Sequence, residues 1–578
     1  MADFLATLPP GLLLIGGGLL LALLRGRIQR WALVILPLLS AWHLLSFLPE
    51  GTTVAYEIFG YELMPVRVDR LSLVWGYVFH LAAFVSALYA FHVEDTLQHV
   101  SGLIYAGAAI GAVFSGDLVT LFVYWELTAL SSVFLIWARR RERAHHAGMR
   151  YLVAQVGSGV LLLAGALYHF GDSGSLAFGA LNLDTLGGLL IFLAFGIKAA
   201  FPLLHNWLQD AYPEATVTGT VFLSAFTTKL AIYALARGFA GTEILIPIGA
   251  AMTAFPIFFA VIENDLRRVL AYSLNNQLGF MVVGIGLGTE LSLNGTAAHA
   301  FVHILYKALL FMSMGAVLNY AGTAKGSELG GLYKKMPWTT AFCIVGAASI
   351  SAFPLFSGFV AKALILSEAA YQHRTVVYLI LLFASAGVFH HSGIKIPFFA
   401  FFHHDTGKWK KFAPEKRDFA GEAPKNMLWA MALTALPCLA IGMFPHKLLY
   451  PLLPFPVTYE PYTMAHVITQ IQLLMFSALA FTVLNRIGAY PPELRSTVLD
   501  TDWFYRKPGR ALAEWLHRHG ATVDRALRSA FVGGLHRLLE RSGQALGPTG
   551  WLGGIWTTRT MVLWATLLLA ACLILYYV

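Results

Sequence analysis

Long apolar runs separated by short polar connectors recur along nearly the whole chain. At about 20 residues for one crossing of a bilayer, they predict helices near 8–24, 31–49, 69–92, 98–115, 117–138, 147–169, 185–208, 216–237, 243–262, 268–287, 292–321, 338–370, 374–403, 426–445, 463–486 and 558–578. The pattern is that of an all-α polytopic membrane protein with about sixteen transmembrane helices under this window rule. Two stretches break the rhythm. Residues 52–67 (TTVAYEIFGYELMPVR) are too polar to span, and their alternation predicts a small external hairpin. Residues 503–545 mix Leu, Ala and Trp with Arg and His at helical spacing, which predicts a C-terminal amphipathic helix along the cytoplasmic interface, tied down by the final span. That helix reads equally as a surface anchor and as a brace across neighbouring subunits, since either needs only an apolar stripe.

Composition sharpens the class. Hydrophobic residues fill 57% of the 578 positions and charged residues 12%, against roughly a quarter charged in a soluble chain. The formal charge of +9, from 40 Lys and Arg against 31 Asp and Glu, then points to basic loops on one side of a lipid bilayer and not to nucleic acid. Arg25–Arg30, Arg139–Arg143, Arg267–Arg268, Lys325–Lys335 and Lys408–Lys425 fall in alternate connectors, whereas 170–184 and 288–292 hold no basic residue. The alternation predicts a cell-membrane protein with cytoplasmic basic loops and both termini outside. The first run follows Asp3 and precedes Arg25, the reverse of a secretory signal, so an uncleaved span is expected. Cys343, Cys438 and Cys572 lie singly in apolar runs, which argues against a disulfide framework, a zinc site or an iron–sulfur cluster. No cofactor and no metal is expected.

One tetrapeptide occurs twice: Ala200-Phe201-Pro202-Leu203 and Ala352-Phe353-Pro354-Leu355, about five helices apart. Each places a proline in mid-span, freeing backbone groups that hydrocarbon cannot satisfy, with Lys198 or Lys362 nearby. Two inverted five-helix repeats, each with a broken helix, are expected; ordinary proline kinks are the alternative. The organisation read from the chain is 1–97 for the N-terminal helices and hairpin, 98–240 and 241–405 for the repeats, 406–500 for further helices, and 501–578 for the amphipathic helix and terminal anchor.

Charge inside hydrocarbon costs about 2.5–3.5 kcal/mol per group even on the lenient insertion scale, so each such group needs a partner, water or a function. Glu126, Lys198, Lys229, His299, His303, Lys307 and Lys362 all fall in predicted spans. His299, His303 and Lys307 are spaced i, i+4, i+8, which stacks three titratable groups on one helical face. Two histidines at i, i+4 also suit a metal, but no carboxylate sits between them and no third ligand is evident. A proton wire is the better reading, because His titrates nearest neutrality and an ammonium in hydrocarbon is under pressure to give up its proton. Glu126 and Lys198 suggest a switch, in which closing an ion pair holds the proton and opening it sends the proton toward Lys229 and the His299 face. The plainer alternative is that the two merely pin helices together.

At these residues the chain resembles the proton-pumping, antiporter-like subunits shared by respiratory complex I, membrane-bound hydrogenases and multisubunit Mrp-type cation/proton antiporters, most of all the D-type Mrp subunits. The resemblance covers about residues 60–485. It rests on YWELTALSSVFLIW (124–137), GIKAAFPLLHNWLQDAYPEATVTGTVFLSAFTTKLAIYALAR (196–237), NDLRRVLAYSLNNQLGFM (264–281), HAFVHILYKALLFMSMGAV (299–317), FPLFSGFVAKALIL (353–366) and HSGIKIPFFAFF (391–402). It implies that Glu126, Lys198, Lys229 and Lys362 are the glutamate and lysines of a hydrated polar axis in the membrane plane, with His299, His303 and Lys307 on the connecting helix. His205, Asp210, Glu214 and Lys395 are candidates for half-channels, although Asp210 and Glu214 read equally as solvated loop acids. The chain departs from the family at ATVTGTVF (215–222), where a Pro-rich stretch is common, and in its C-terminal extension, which resembles the arm of the largest antiporter-like subunit of complex I.

The resemblance implies a proton-translocating subunit of an Mrp-type antiporter, a transporter subunit and not an enzyme, exchanging Na⁺ or K⁺ for protons. Its partners would be other membrane subunits of a hetero-oligomeric complex, including homologous antiporter-like ones. The same chain would also serve as the proton pump of a redox-driven complex, or as the membrane subunit of an inorganic-carbon uptake complex. A scaffold with an inert polar axis is the reading of a different class. The sequence has no nucleotide loop, cysteine cluster or haem pattern of its own.

Overall fold

The structure is a computed structural model of the chain and describes residues 2–412, 421–495, 498–547, 550 and 556–577. The middle of the basic run Lys408–Lys425 lies outside the described residues. The chain divides into two units, Met1–Val498 and Leu499–Val578.

The first unit is helical apart from one hairpin. Among the described residues of the chain, twelve helices are long and apolar enough to cross a membrane, and three shorter apolar ones are Leu12–Leu21, Leu186–Ala199 and Pro337–Ile350. The window rule overstates the first span, expected at 8–24. There the helix proper is only Leu12–Leu21, because Ala22, Leu23 and Leu24 turn tightly through bonds to the carbonyls three residues back, while remaining apolar enough to count. Asp69, Asp95, Asp117, Thr185, Asp265 and Thr289 open their helices by accepting backbone N–H bonds in the first turn.

The hairpin pairs strands Thr53–Ile58 and Tyr61–Arg67 in antiparallel register. Its two-residue turn, Phe59-Gly60, takes positive φ at both positions (54° and 80°), the geometry that matches strand twist. It docks on one end of helix Leu118–Trp137, where the Met64 N–H donates to Asp117 and Arg67 donates to the Phe178 carbonyl. At the other end of that helix, Arg139 and Arg267 both donate to the Pro213 carbonyl, and Asp265 forms a β-bridge with Lys325. Three of the basic segments therefore share one end of the unit, opposite the hairpin.

The two Ala-Phe-Pro-Leu segments have one backbone. Ala200 and Leu203 take φ of +62° and +70°, and Ala352 and Leu355 take +56° and +73°. In each, the Ala N–H bonds the carbonyl three residues back and the Phe N–H the carbonyl five back, at 3.0–3.1 Å, closing the helix by the same left-handed cap. The window 338–370 is thus two helices, Pro337–Ile350 and Ser357–Tyr371, and the window 185–208 holds Leu186–Ala199 followed by Asn206–Ala211.

The second unit contains helix Arg510–Leu546 and the apolar helix Thr558–Tyr577. Leu512 and Leu516, then Val523, Leu527, Phe531 and Leu535, recur at four-residue steps on the long helix, and its ion pairs Arg510–Glu514 and Asp524–Arg528 are also at i, i+4.

Candidate functional site

The seven candidate residues lie on five helices of the first unit, and five of them are fully buried with a sixth, Lys362, at 1% exposure. The exception is Glu126, which is partly buried. Lys198 ends the helical part of the first broken span, and its ammonium donates to the Trp125 carbonyl (2.6 Å) and to Thr128 Oγ1 (2.8 Å) while lying 4.2 Å from the centre of the Trp125 ring. The expected Glu126–Lys198 ion pair is not formed among the described residues. Helical spacing explains this: Trp125 and Thr128 share the face that meets Lys198, whereas Glu126 is turned about 100° away and lies against Gly159, where an added Cβ would collide with Glu126 Oε1. The carboxylate is still near enough for its charge to act on Lys198.

Lys229 follows a break at Phe226, between helices Gly219–Ala225 and Thr227–Gly238, and donates to the Ser224 carbonyl (2.5 Å). Helix Glu290–Ala321 carries the next three groups on one face, with the His299 and His303 rings 6.1 Å apart. His299 Nε2 is 3.2 Å from Gln277 Oε1 and 3.0 Å from the Tyr306 hydroxyl, which itself donates to Gln277. Both ring nitrogens of His303 and the Lys307 ammonium have no hydrogen-bond partner among the described residues. Lys229, Lys307, His299 and Lys362 are all close enough for their charges to act on His303. Lys362 donates to the carbonyl of Ile350, the last residue of the helix before the second break (2.7 Å). Its ammonium is 5.2 Å from the Phe280 ring centre, and that ring is 5.8 Å from His299.

The half-channel candidates do not join this row. Asp210 pairs with Arg150 (2.6 Å) and Glu214 with Arg143 (2.7 Å). At 7% and 8% exposure neither is a solvated loop acid. His205 opens the short helix Asn206–Ala211, with its ring centre 4.6 Å from that of Phe255. Lys395 is buried in an ion pair with Glu493 (2.8 Å).

Several partners were not singled out from the sequence. Gln277 and Tyr306 link to His299, Asn275 is buried with neither side-chain polar atom hydrogen-bonded, and His391, with an unpartnered Nε2, is close enough for the Lys307 charge to act on it. The polar run Ser273-Leu274-Asn275-Asn276-Gln277 in an otherwise apolar helix carried the signal for two of them. Arg267, 1% exposed, donates to the carbonyls of Tyr212, Pro213, Ala215 and Thr216 and to the Thr220 hydroxyl, so one guanidinium closes the buried turn that follows the first broken helix. No group of three or more metal-ligating side chains occurs among the described residues.

Residues 115–389, which hold Glu126 through Lys362, match the family described as NADH:quinone oxidoreductase/Mrp antiporter, TM. Among relatives of the NADH:quinone oxidoreductase/Mrp antiporter segment, Hydrogenase-4 component B of Escherichia coli is 28% identical over 436 residues, covering 67% of this chain and 63% of its own. The D-type Na(+)/H(+) antiporter subunit of Alkalihalophilus pseudofirmus is 31% identical over 292 residues, covering 47% of this chain and 59% of its own. The chain thus spans less than two thirds of the length of these relatives. Two solved structures share the fold. The Mrp complex from Dietzia sp. DQ12-45-1b aligns with TM-score 0.76 and 24% identity over 92% of this chain and 61% of that chain. The membrane-bound sulfane sulfur reductase, an archaeal respiratory membrane complex, aligns with TM-score 0.70 and 20% identity over 98% of this chain and 99% of that chain.

Proposed function

We propose that the chain is the proton-translocating membrane subunit of a multisubunit monovalent cation/proton antiporter of the Mrp type, exchanging Na⁺ or K⁺ for protons. The observation that carries this reading is the buried row formed by Lys229, Lys307, His303, His299 and Lys362, the other four all close enough for their charges to act on His303. Among the described residues none of these groups has a carboxylate partner, and His303 and Lys307 have no hydrogen-bond partner at all. Buried groups of this kind bond to ordered water, and a hydrated series of amines and imidazoles relays protons by making and breaking N–H bonds. Lys198 with Glu126 feeds one end of the row, and Lys362 at the second break forms the other. The polypeptide acts as a transporter subunit, and other membrane subunits, homologous ones among them, complete the complex. Its basic loops face the cytoplasm and its termini the outside, with the two broken helices at matching positions of inverted repeats.

A second reading, the proton pump of a redox-driven complex, draws on the relative Hydrogenase-4 component B. Both readings use the same row, and they differ in where the energy enters. The test is to purify the tagged chain in mild detergent, identify what accompanies it by mass spectrometry, and follow a pH-gradient dye in everted vesicles. Collapse of the gradient by Na⁺ or K⁺, with only membrane subunits in the complex, supports the antiporter. Co-purifying iron–sulfur or hydrogenase chains and indifference to both cations would replace it with the redox pump.

A further inference from the structure

The segment that precedes the C-terminal unit is keyed into the basic-loop end of the first unit. Helix Met464–Arg486 ends in a turn through Gly488 (φ +71°), with the N–H groups of Ala489 and Tyr490 both bonded to the Leu484 carbonyl. The chain then makes three anchors within six residues. The Tyr490 ring stacks on His390 (5.4 Å between centres) and packs on Phe481 (5.1 Å). Glu493, its side chain 6% exposed, pairs with Lys395, whose side chain is 0% exposed. Arg495 pairs with Glu328 (2.7 Å).

Lys395 is held in a cage of oxygen atoms. Besides Glu493, its ammonium donates to the carbonyls of Val261 (2.6 Å), Glu263 (2.7 Å) and Ala260 (3.3 Å), at the end of helix Leu245–Ile262, where carbonyls lack intrahelical partners. Its own backbone lies between two π-helical stretches, Phe389–Ile394 and Phe398–Phe402. Such wide turns sit at functional sites in many helices, because a one-residue register change re-aims the side chain. One turn before Lys395 is His391, whose Nδ1 contacts Ser392 and whose Nε2 is unpartnered; Ser392 in turn donates to Ser273 (2.7 Å), on the helix that also carries Gln277.

We propose that Glu493 is a positioning residue that parks the Lys395 ammonium at this end of the unit, and that opening the pair lets Lys395 turn to His391 and pass a proton between the loop side and the buried row. The step moves one proton from Lys395 Nζ to His391 Nε2, and the neutral amine takes another from the loop side. It rests on the proton-translocating function proposed above. Glu493 reaches Lys395 from the segment that follows helix Met464–Arg486. Among the described residues, the other charged or titratable groups in electrostatic reach of the pair are Glu263 with its partner Arg268, His390, His391 and Tyr490. Burial pushes the Glu493 carboxyl upward against the pull of Lys395.

The experiment compares pH profiles of proton translocation by the assembled complex in everted vesicles, for the wild-type chain, E493Q, E493D, K395M/E493Q and K362A. Without its counter-charge the ammonium is harder to keep protonated. The alkaline limb of the E493Q profile is therefore expected to move toward acid by about one pH unit, and E493D to restore it. K395M/E493Q leaves no lone buried charge, so it assembles even if E493Q does not, and it is expected to lack that limb. An unmoved limb in E493Q, or in the double variant if E493Q fails to assemble, overturns the proposal. If K362A is inactive while the limb stays in place, only the gate is lost; if K362A transports at the wild-type rate, the functional reading beneath it is lost too.

Discussion

The two broken helices share a backbone and differ in where the charge is put. Both stop at the same left-handed cap, yet Lys198 lies two residues before Ala200 and Lys362 lies ten residues after Ala352. Lys198 therefore ends the first half of its broken span and reaches across to a neighbouring helix, to Trp125 and Thr128, with Glu126 in electrostatic range. Lys362 belongs to the second half of its span and reaches back to the Ile350 carbonyl that the break itself exposes. The repeated element is thus the hinge, and the position and partner of the lysine are set separately in each half.

Removing the charges is the strongest way to break this comparison. Lys362→Ala and Glu126→Ala are each expected to abolish proton coupling with the complex still assembled, as read by dye quenching in vesicles beside a native gel. Wild-type transport by either variant would mean that the corresponding half carries no protons. Gly159→Ala sharpens the first half alone. Its Cβ has no room beside Glu126 Oε1, so the carboxylate must swing away, and transport is expected to fall on the order of tenfold, the equivalent of an overpacking cost in the usual 1–3 kcal/mol range. Full activity would show that Glu126 works equally well in other rotamers. Thr128→Val deletes the one side-chain hydrogen bond to Lys198 among the described residues and leaves Lys362 untouched. A loss of rate on the order of tenfold is expected, the low end of the about 1.5–3 kcal/mol that a hydrogen bond to a buried charge is worth, and an unchanged rate would assign Lys198 wholly to the Trp125 carbonyl.

The smallest effect concerns what the halves have in common. Ala200→Val and Ala352→Val place a β-branched residue at positive φ, where an L-residue already bears roughly 1–2 kcal/mol. Each is expected to lower the melting temperature of the purified complex by a similar few degrees. A clear drop at one position only would show that the hinges are not equivalent.

Much of this was legible in the chain and some was not, for physical reasons. Hydropathy found the long spans because lipid imposes a length, alternation found the hairpin because a strand has period two, and the recurring Ala-Phe-Pro-Leu found both hinges because proline cannot continue a helix. The intramembrane charges stood out because lipid makes them costly. What they touch did not. Lys198 bonds a main-chain carbonyl, which every residue carries, so no pattern of side chains announces it. Gln277 and Tyr306 are uncharged and do not stand out from a helix by charge. The pairing of Glu493 with Lys395 joins residues about a hundred positions apart, and only the folded chain brings them together. Asp210 and Glu214 read equally as half-channel groups and as solvated loop acids, because their arginines lie on other helices. The ten-residue length of helix Leu12–Leu21 escaped because hydropathy measures solubility in lipid and is blind to where a backbone turns.

The carbonyl that holds Lys362 belongs to the open end of a helix, and such an end carries about half a negative charge from its aligned peptide dipoles. An amide oxygen does not take up protons anywhere near neutral pH. The second lysine thus has a counter-charge that no titration can remove and no side-chain substitution can delete, whereas the charge near the first lysine is a carboxylate that one proton neutralises. Under the proton-translocating function proposed above, a row that begins at an erasable charge and ends at a permanent one has a built-in direction.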